Sequence, residues 1–117
     1  MGRVTIGVDP GKLTDPAAIV VVEPQHRGAN VHYLVRAIEH PTTGTTYTAL
    51  RDRLVDMDLR LTFDRGAQVE YRIEANGCGE PFLDLLRETR LKGKVITVWL
   101  TGSSRVLESS HGRELSI

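Results

Sequence analysis

The chain is poor in the residues that would narrow its chemistry quickly. It holds one cysteine, Cys78, in 117 residues. That excludes an internal disulfide, and with no second cysteine nearby it excludes a cysteine-rich zinc site; the residue reads as a small buried hydrophobe. No run of about 18 apolar residues is present, and the N-terminus lacks a basic segment followed by an apolar stretch, so neither a membrane span nor a signal peptide is expected. A soluble intracellular protein follows. Excess charge is missing too, with 15 basic and 15 acidic residues giving a formal net charge of +0. No global field therefore draws the chain to a polyanion, and any such contact must be local. His26, His32, His40 and His111 are too scattered to form a metal set. Ser109-Ser110-His111 lacks a nucleophile elbow, which argues against serine hydrolysis. The length suits one domain with a real core, spanning 1–117.

What is present is organised around Arg3 to Glu23. Val4, Ile6 and Val8 alternate with Thr5 and Gly7, the mark of a strand, and the run stops at Asp9-Pro10-Gly11. Proline cannot donate to a ladder and glycine tolerates positive φ, so the strand ends on a carboxylate. Ala17 to Val22 reads as a second strand in a hairpin with the first, and Val31 to Glu39 as a third, with Val31, Tyr33, Val35 and Ala37 on one face. Pro24 to Asn30 is the polar turn between them.

Thr45 or Thr46 caps a helix beginning near Tyr47. There Tyr47, Leu50, Leu54, Met57 and Leu61 recur at steps of three and four, while Arg51, Asp52, Arg53, Asp56, Asp58 and Arg60 populate the opposite side as a solvated face. Phe63 to Gln68 is a crossover turn. Val69 to Ala75 is a fourth strand, parallel to the first by the usual right-handed crossover, and it ends in a second acid, Glu74. Asn76-Gly77-Cys78-Gly79 leads to a second helix with Pro81 in its first turn and Phe82, Leu85 and Leu86 on its apolar side. Lys94 to Leu100 is a fifth strand. Beyond Thr101 the periodicity is weak, and Val106 and Leu107 can extend a strand.

The order is therefore β-β-β-α-β-α-β, an α/β arrangement with the first three strands antiparallel. Ligand sites in open α/β sheets form beyond the carboxyl ends of strands, so Asp9 and Glu74 are placed to face one another if their strands are parallel neighbours. Paired carboxylates suit a hard divalent cation, and two Mg²⁺ or Mn²⁺ ions about 3.5–4 Å apart provide the activated water and the stabilised leaving oxygen of phosphodiester hydrolysis. On this reading Asp9 bridges the ions and Glu74 binds one of them. Asp15 stands behind them, holding an outer-shell water or capping the second strand. Lys12 meets a phosphate, and Asn76 orients Glu74 or contacts substrate. The structural alternatives are a turn-forming Asp9 before Pro-Gly and a strand-end ion pair of Glu74 with Arg72 or Lys12.

With an acid closing the first strand and another closing the fourth, the order resembles the ribonuclease H-like fold of retroviral integrases, junction resolvases and phage packaging nucleases. GVDPG followed by DPAAIVVV, then IEANGCG leading into PFLDLL, then VWLTG, resembles the C-terminal nuclease domain of the terminase large subunit of tailed bacteriophages and prophages. That resemblance covers roughly residues 3 to 102. It implies a five-stranded mixed sheet with flanking helices and a metal-dependent endonuclease in which Asp9 and Glu74 are catalytic metal ligands. It also implies double-stranded DNA as substrate, other terminase and portal components as partners, no membrane, and the cytoplasm of an infected or lysogenic bacterium as location. The family takes a third carboxylate from a helix beyond the fifth strand. Glu108 and Glu114 lie in that direction without a helical context, so the domain is expected to be incomplete at its C-terminal end.

Two other classes stay open. One is a docking or assembly module left by an incomplete nuclease. The other is a nucleotide-binding domain of the actin and sugar-kinase kind, whose first hairpin also ends in Asp-x-Gly, although Lys12-Leu13 replaces the small hydroxyl residues expected there. A Walker loop fails, because Gly7 to Gly11-Lys12 is one residue short and Leu13 occupies the Ser/Thr position.

Overall fold

The computed structural model describes residues 2–11, 16–42, 44–76, 79–100, 106–110 and 113–116. Strands β1 (Arg3–Asp9), β2 (Ala18–Arg27) and β3 (Asn30–Glu39) come first, then helix α1 (Tyr47–Leu59), β4 (Gln68–Glu74), α2 (Gly79–Arg87) and β5 (Lys94–Leu100). These are the five strands and two helices expected, in the expected order. Two further strands, β6 (Val106–Ser110) and β7 (Arg113–Ser116), continue the sheet as an antiparallel hairpin, and its order is β3-β2-β1-β4-β5-β6-β7. Strand β1 pairs antiparallel with β2 and parallel with β4, so the meander and the crossover share one central strand.

Both helices lie on one face of the sheet. Val4, Ile6 and Val8 of β1, Ile19 and Val21 of β2, and Val69, Tyr71 and Ile73 of β4 alternate toward that face, where they meet Leu50, Leu54 and Met57 of α1 and Phe82, Leu83 and Leu86 of α2 in one core cluster. Burying each such side chain stabilises the fold by about 1.5–3 kcal/mol. Thr46 caps α1, its hydroxyl accepting from Ala49 N–H at 3.1 Å. The helix widens into a π-helical turn, Arg60–Asp64, and the chain reverses at Gly66, φ 62°, where Ala67 N–H donates to Leu61 C=O at 2.8 Å. The helical segment thus runs into the residues expected to form the crossover turn.

Three further expectations change. The β2–β3 turn is shorter than Pro24 to Asn30: β2 continues through Arg27, and Gly28, at φ 61°, makes a tight reversal with Ala29. Strand β3 does not alternate throughout. Its register with β2 passes from Val22↔Val35 to Val21↔Ala37, leaving Arg36 as a bulge, so Ala37 turns to the helical face and Ile38 joins Val31, Tyr33 and Val35 on the other. Arg36 Nε donates to Glu23 Oε1 at 2.9 Å across this irregularity.

The third change concerns the acids of α1. Asp52 and Asp56 are surface residues paired with Arg51, Arg53 and Arg60, as expected. Asp58 is instead 2% exposed. Its carboxylate accepts from the Tyr71 hydroxyl at 2.7 Å, from Lys92 N–H at 2.7 Å and from Gly93 N–H at 3.1 Å, so it fastens α1 to β4 and to the turn that starts β5. Burial of the ring, followed by this bond to a carboxylate, raises the pKa of Tyr71 far above that of a free phenol.

Candidate metal and phosphodiester site

Asp9 ends β1 because Pro10 offers no N–H and Gly11, at φ 70°, turns the chain away. The Gly11 N–H donates to Asp9 Oδ1 at 3.0 Å, so the turn-forming role of this aspartate is real, and it leaves further acceptor capacity on the carboxylate. The turn is tied to the core at its far side. Tyr47, the first residue of α1, donates its hydroxyl to Gly11 C=O at 3.4 Å, and its ring packs on Phe82 with centroids 5.6 Å apart.

Glu74 ends β4, and the chain beyond it is pinned by Ala75 N–H donating to Val98 C=O at 2.8 Å. The parallel register of β1 and β4 runs to Val8↔Ile73, so Asp9 and Glu74 occupy the next step. Both are in phase with Gly7 and Arg72 on the face away from the helices, on strands that lie about 4.8 Å apart. The two acids, from opposite ends of a long crossover, line one open recess of about 370 Å³ with Gly7, Val8, Ala18, Val20, Arg72 and Val98.

Arg72 also enters this recess, two residues before Glu74 on the same face. Its Nη2 donates to Glu70 Oε1 at 3.1 Å. Alternation along β4 was the signal for it, since residues two apart on a strand share a face. With two carboxylates and one guanidinium the recess is net negative, which favours a cation. Asn76 is exposed and lies just past the strand end. Lys12 and Asp15, the remaining sequence candidates, and Gly77 and Cys78 lie outside the described residues. Among the described residues no three His, Cys, Asp or Glu side chains are grouped closely enough to hold a metal. The donor set in view is therefore two hard oxygen ligands, which fits Mg²⁺ or Mn²⁺ in kind and falls short in number. Glu108 and Glu114 fall on strands: Glu108 is in register with Val98, which pairs with Glu74, whereas Glu114 pairs with Ser109 in the adjacent row.

No family model matches the chain. No curated protein matches it in sequence. Among solved structures, the RuvC structure of Thermus thermophilus superimposes with a TM-score of 0.53 at 18% identity, covering 82% of this chain and 61% of that one. The fold is ribonuclease H-like. At that identity the likeness speaks for the fold, and this ribonuclease H-like chain spans 61% of the length of the RuvC chain it matches. In the ribonuclease H-like sheet of this chain, the antiparallel meander supplies Asp9 and the parallel crossover supplies Glu74. No helix among the described residues is long and apolar enough to cross a membrane.

Proposed function

We propose that this domain is a divalent-metal-dependent endonuclease that hydrolyses phosphodiester bonds of double-stranded DNA, with Asp9 and Glu74 as its metal ligands. The observation that carries the reading is their arrangement: two carboxylates at the carboxyl ends of adjacent parallel strands, lining one recess of a ribonuclease H-like sheet. Mg²⁺ or Mn²⁺ bound there supplies an activated water and stabilisation of the leaving oxygen. The rest belongs to the chain's own residues. Gly11 N–H holds Asp9 in orientation, the Tyr47 hydroxyl holds the turn, and Arg72 offers the cation that meets a phosphate oxygen. Asn76, Lys12 and Asp15 are the further residues assigned to the site, the first two to substrate and the third to the metal's outer sphere.

The finer reading is the nuclease domain of a phage or prophage terminase large subunit, acting in DNA packaging in the bacterial cytoplasm beside other terminase and portal components. Its support is the run of local motifs, GVDPG and IEANGCG above all. The docking-module reading is favoured by one observation, the presence of only two grouped carboxylates among the described residues. Titration with Mn²⁺ separates the two. A nuclease shows a metal-dependent rise in melting temperature and nicks supercoiled plasmid, and Asp9→Ala and Glu74→Ala each abolish both effects. Absence of both responses in the wild-type domain removes the nuclease reading.

A further inference from the structure

The described cations are mostly engaged. Arg36 is paired with Glu23, Arg53 with Glu39 and Asp56, Arg51 with Asp52, Arg60 with Asp56, Arg72 with Glu70 and Arg87 with Asp84. Among the described residues up to Trp99, the arginine and lysine side chains left without an ion pair or hydrogen bond are Arg3, Arg90, Lys92 and Lys94. All four are exposed. They come from distant parts of the chain, yet the β1-β4-β5 order gathers them at one end of the sheet, opposite the end that carries Asp9 and Glu74.

Arg3, Lys92 and Lys94 line a recess of about 480 Å³ together with Thr62, Gln68 and Glu70. Register explains the shape. Arg3 pairs with Gln68 and Lys94 with Glu70, so β4 forms the floor and the cations rise on the strands either side of it. Those two strands are about 10 Å apart, twice the spacing of neighbours. The one acid in the recess, Glu70, already accepts from Arg72, which leaves the local balance positive in a chain whose total is neutral. Arg90 lies beyond Lys94 in an adjoining recess between α2 and β5.

We propose that this basic recess is a second contact for nucleic acid, binding backbone phosphates of the duplex whose cleavage is assigned to the acidic end; it rests on that assignment for its partner. Arg3 and Asp9 are in phase on one strand, as are Glu70 and Glu74, so the basic and acidic ends share the sheet face without helices. Six residues of extended strand separate Arg3 from Asp9, roughly 20 Å, a distance that a duplex spans with several phosphates to spare. Three to four cations held by no carboxylate lose no ion pair on meeting phosphate. The acids at the far end repel it until a metal is bound. The recess therefore supplies affinity and the acids supply chemistry, a division of phosphate contact from reaction that a neutral chain needs more than a basic one does.

The test is fluorescence anisotropy of a labelled duplex of about 20 bp, titrated in EDTA at several salt concentrations. The Arg3→Glu/Lys94→Glu double variant is compared with Arg51→Glu/Arg60→Glu, which makes the same charge change on α1 and the π-helical turn that follows it. The recess variant is expected to weaken binding at least tenfold more than the α1 control and to lower the slope of log K against log salt by about 2, near 0.9 for each phosphate that is no longer neutralised. Equal weakening in the two variants overturns the proposal, as does a wild-type domain that binds no duplex. Because binding is read without metal, the two assignments fail separately. Asp9→Ala that binds the duplex at least as tightly as the wild type while losing nicking supports both. A recess variant that loses binding although the wild type never nicks removes the metal assignment and leaves the recess standing.

Discussion

Replacing Asp58 with alanine removes a buried carboxylate that accepts three hydrogen bonds, from the Tyr71 hydroxyl and the Lys92 and Gly93 amides. The amides lie at the surface end of the turn and regain water, whereas the Tyr71 side chain, 0% exposed, does not. Hydrogen bonds to a charged group contribute about 1.5–3 kcal/mol each, and a buried unsatisfied hydroxyl costs about 1–3 kcal/mol. With partial recovery at the amides the expected loss is about 3–4 kcal/mol, a large part of the roughly 5–15 kcal/mol total of a domain this size. Tyr71→Phe removes the phenol and leaves the carboxylate its two amides, so it is expected to cost about 1–2 kcal/mol. Urea denaturation of the wild type, both single variants and the double variant closes a cycle whose coupling is expected at about 1.5–3 kcal/mol. An Asp58→Ala loss below about 1 kcal/mol, or additive single effects, refutes the claim that this carboxylate clamps α1 to β4 and β5.

Gly93→Ala is expected to destabilise by about 1–3 kcal/mol, because its Cβ would lie 2.6 Å from Val69 O and 2.7 Å from Tyr71 Cε2; a lower urea midpoint at unchanged m-value checks it. Tyr71 also sets an alkaline limit. Its folded pKa is raised, so its contribution is intact below the ordinary phenol value near 10 and is lost as pH rises beyond it, because the unfolded chain releases a proton the native state retains. Stability should fall by about 1.4 kcal/mol per pH unit above that point, and Tyr71→Phe should abolish this component; an unchanged slope in the variant counts against it.

Much of this molecule is legible along the chain because the signals are local. Asp9-Pro10-Gly11 stops a strand whatever lies beside it, and the alternation of Val69, Tyr71 and Ile73 puts Glu74 on the opposite face before any partner is known. The missed features mark where local reasoning stops. Arg36 interrupts the alternation of β3 because it is the residue the pairing with β2 leaves out, and nothing within β3 says so. Asp58 sat on the apolar stripe all along, four residues after Leu54 and eight after Leu50. Its charge argued for solvent, and only the Tyr71 hydroxyl and two amides arriving from β4 and the β5 turn make its burial tolerable.

By itself the sequence determined the first five strands, the two helices, most of their apolar faces, and that two strands end in acids, since each depends on periodicity and turn chemistry within a few residues. The tertiary structure alone decided that β4 sits directly beside β1, bringing those acids into one recess, and that unpaired cations from distant parts of the chain collect at the opposite rim. The reason is physical: strand pairing is chosen by which apolar faces the helices can cover together, a property of the assembled sheet that no single segment carries.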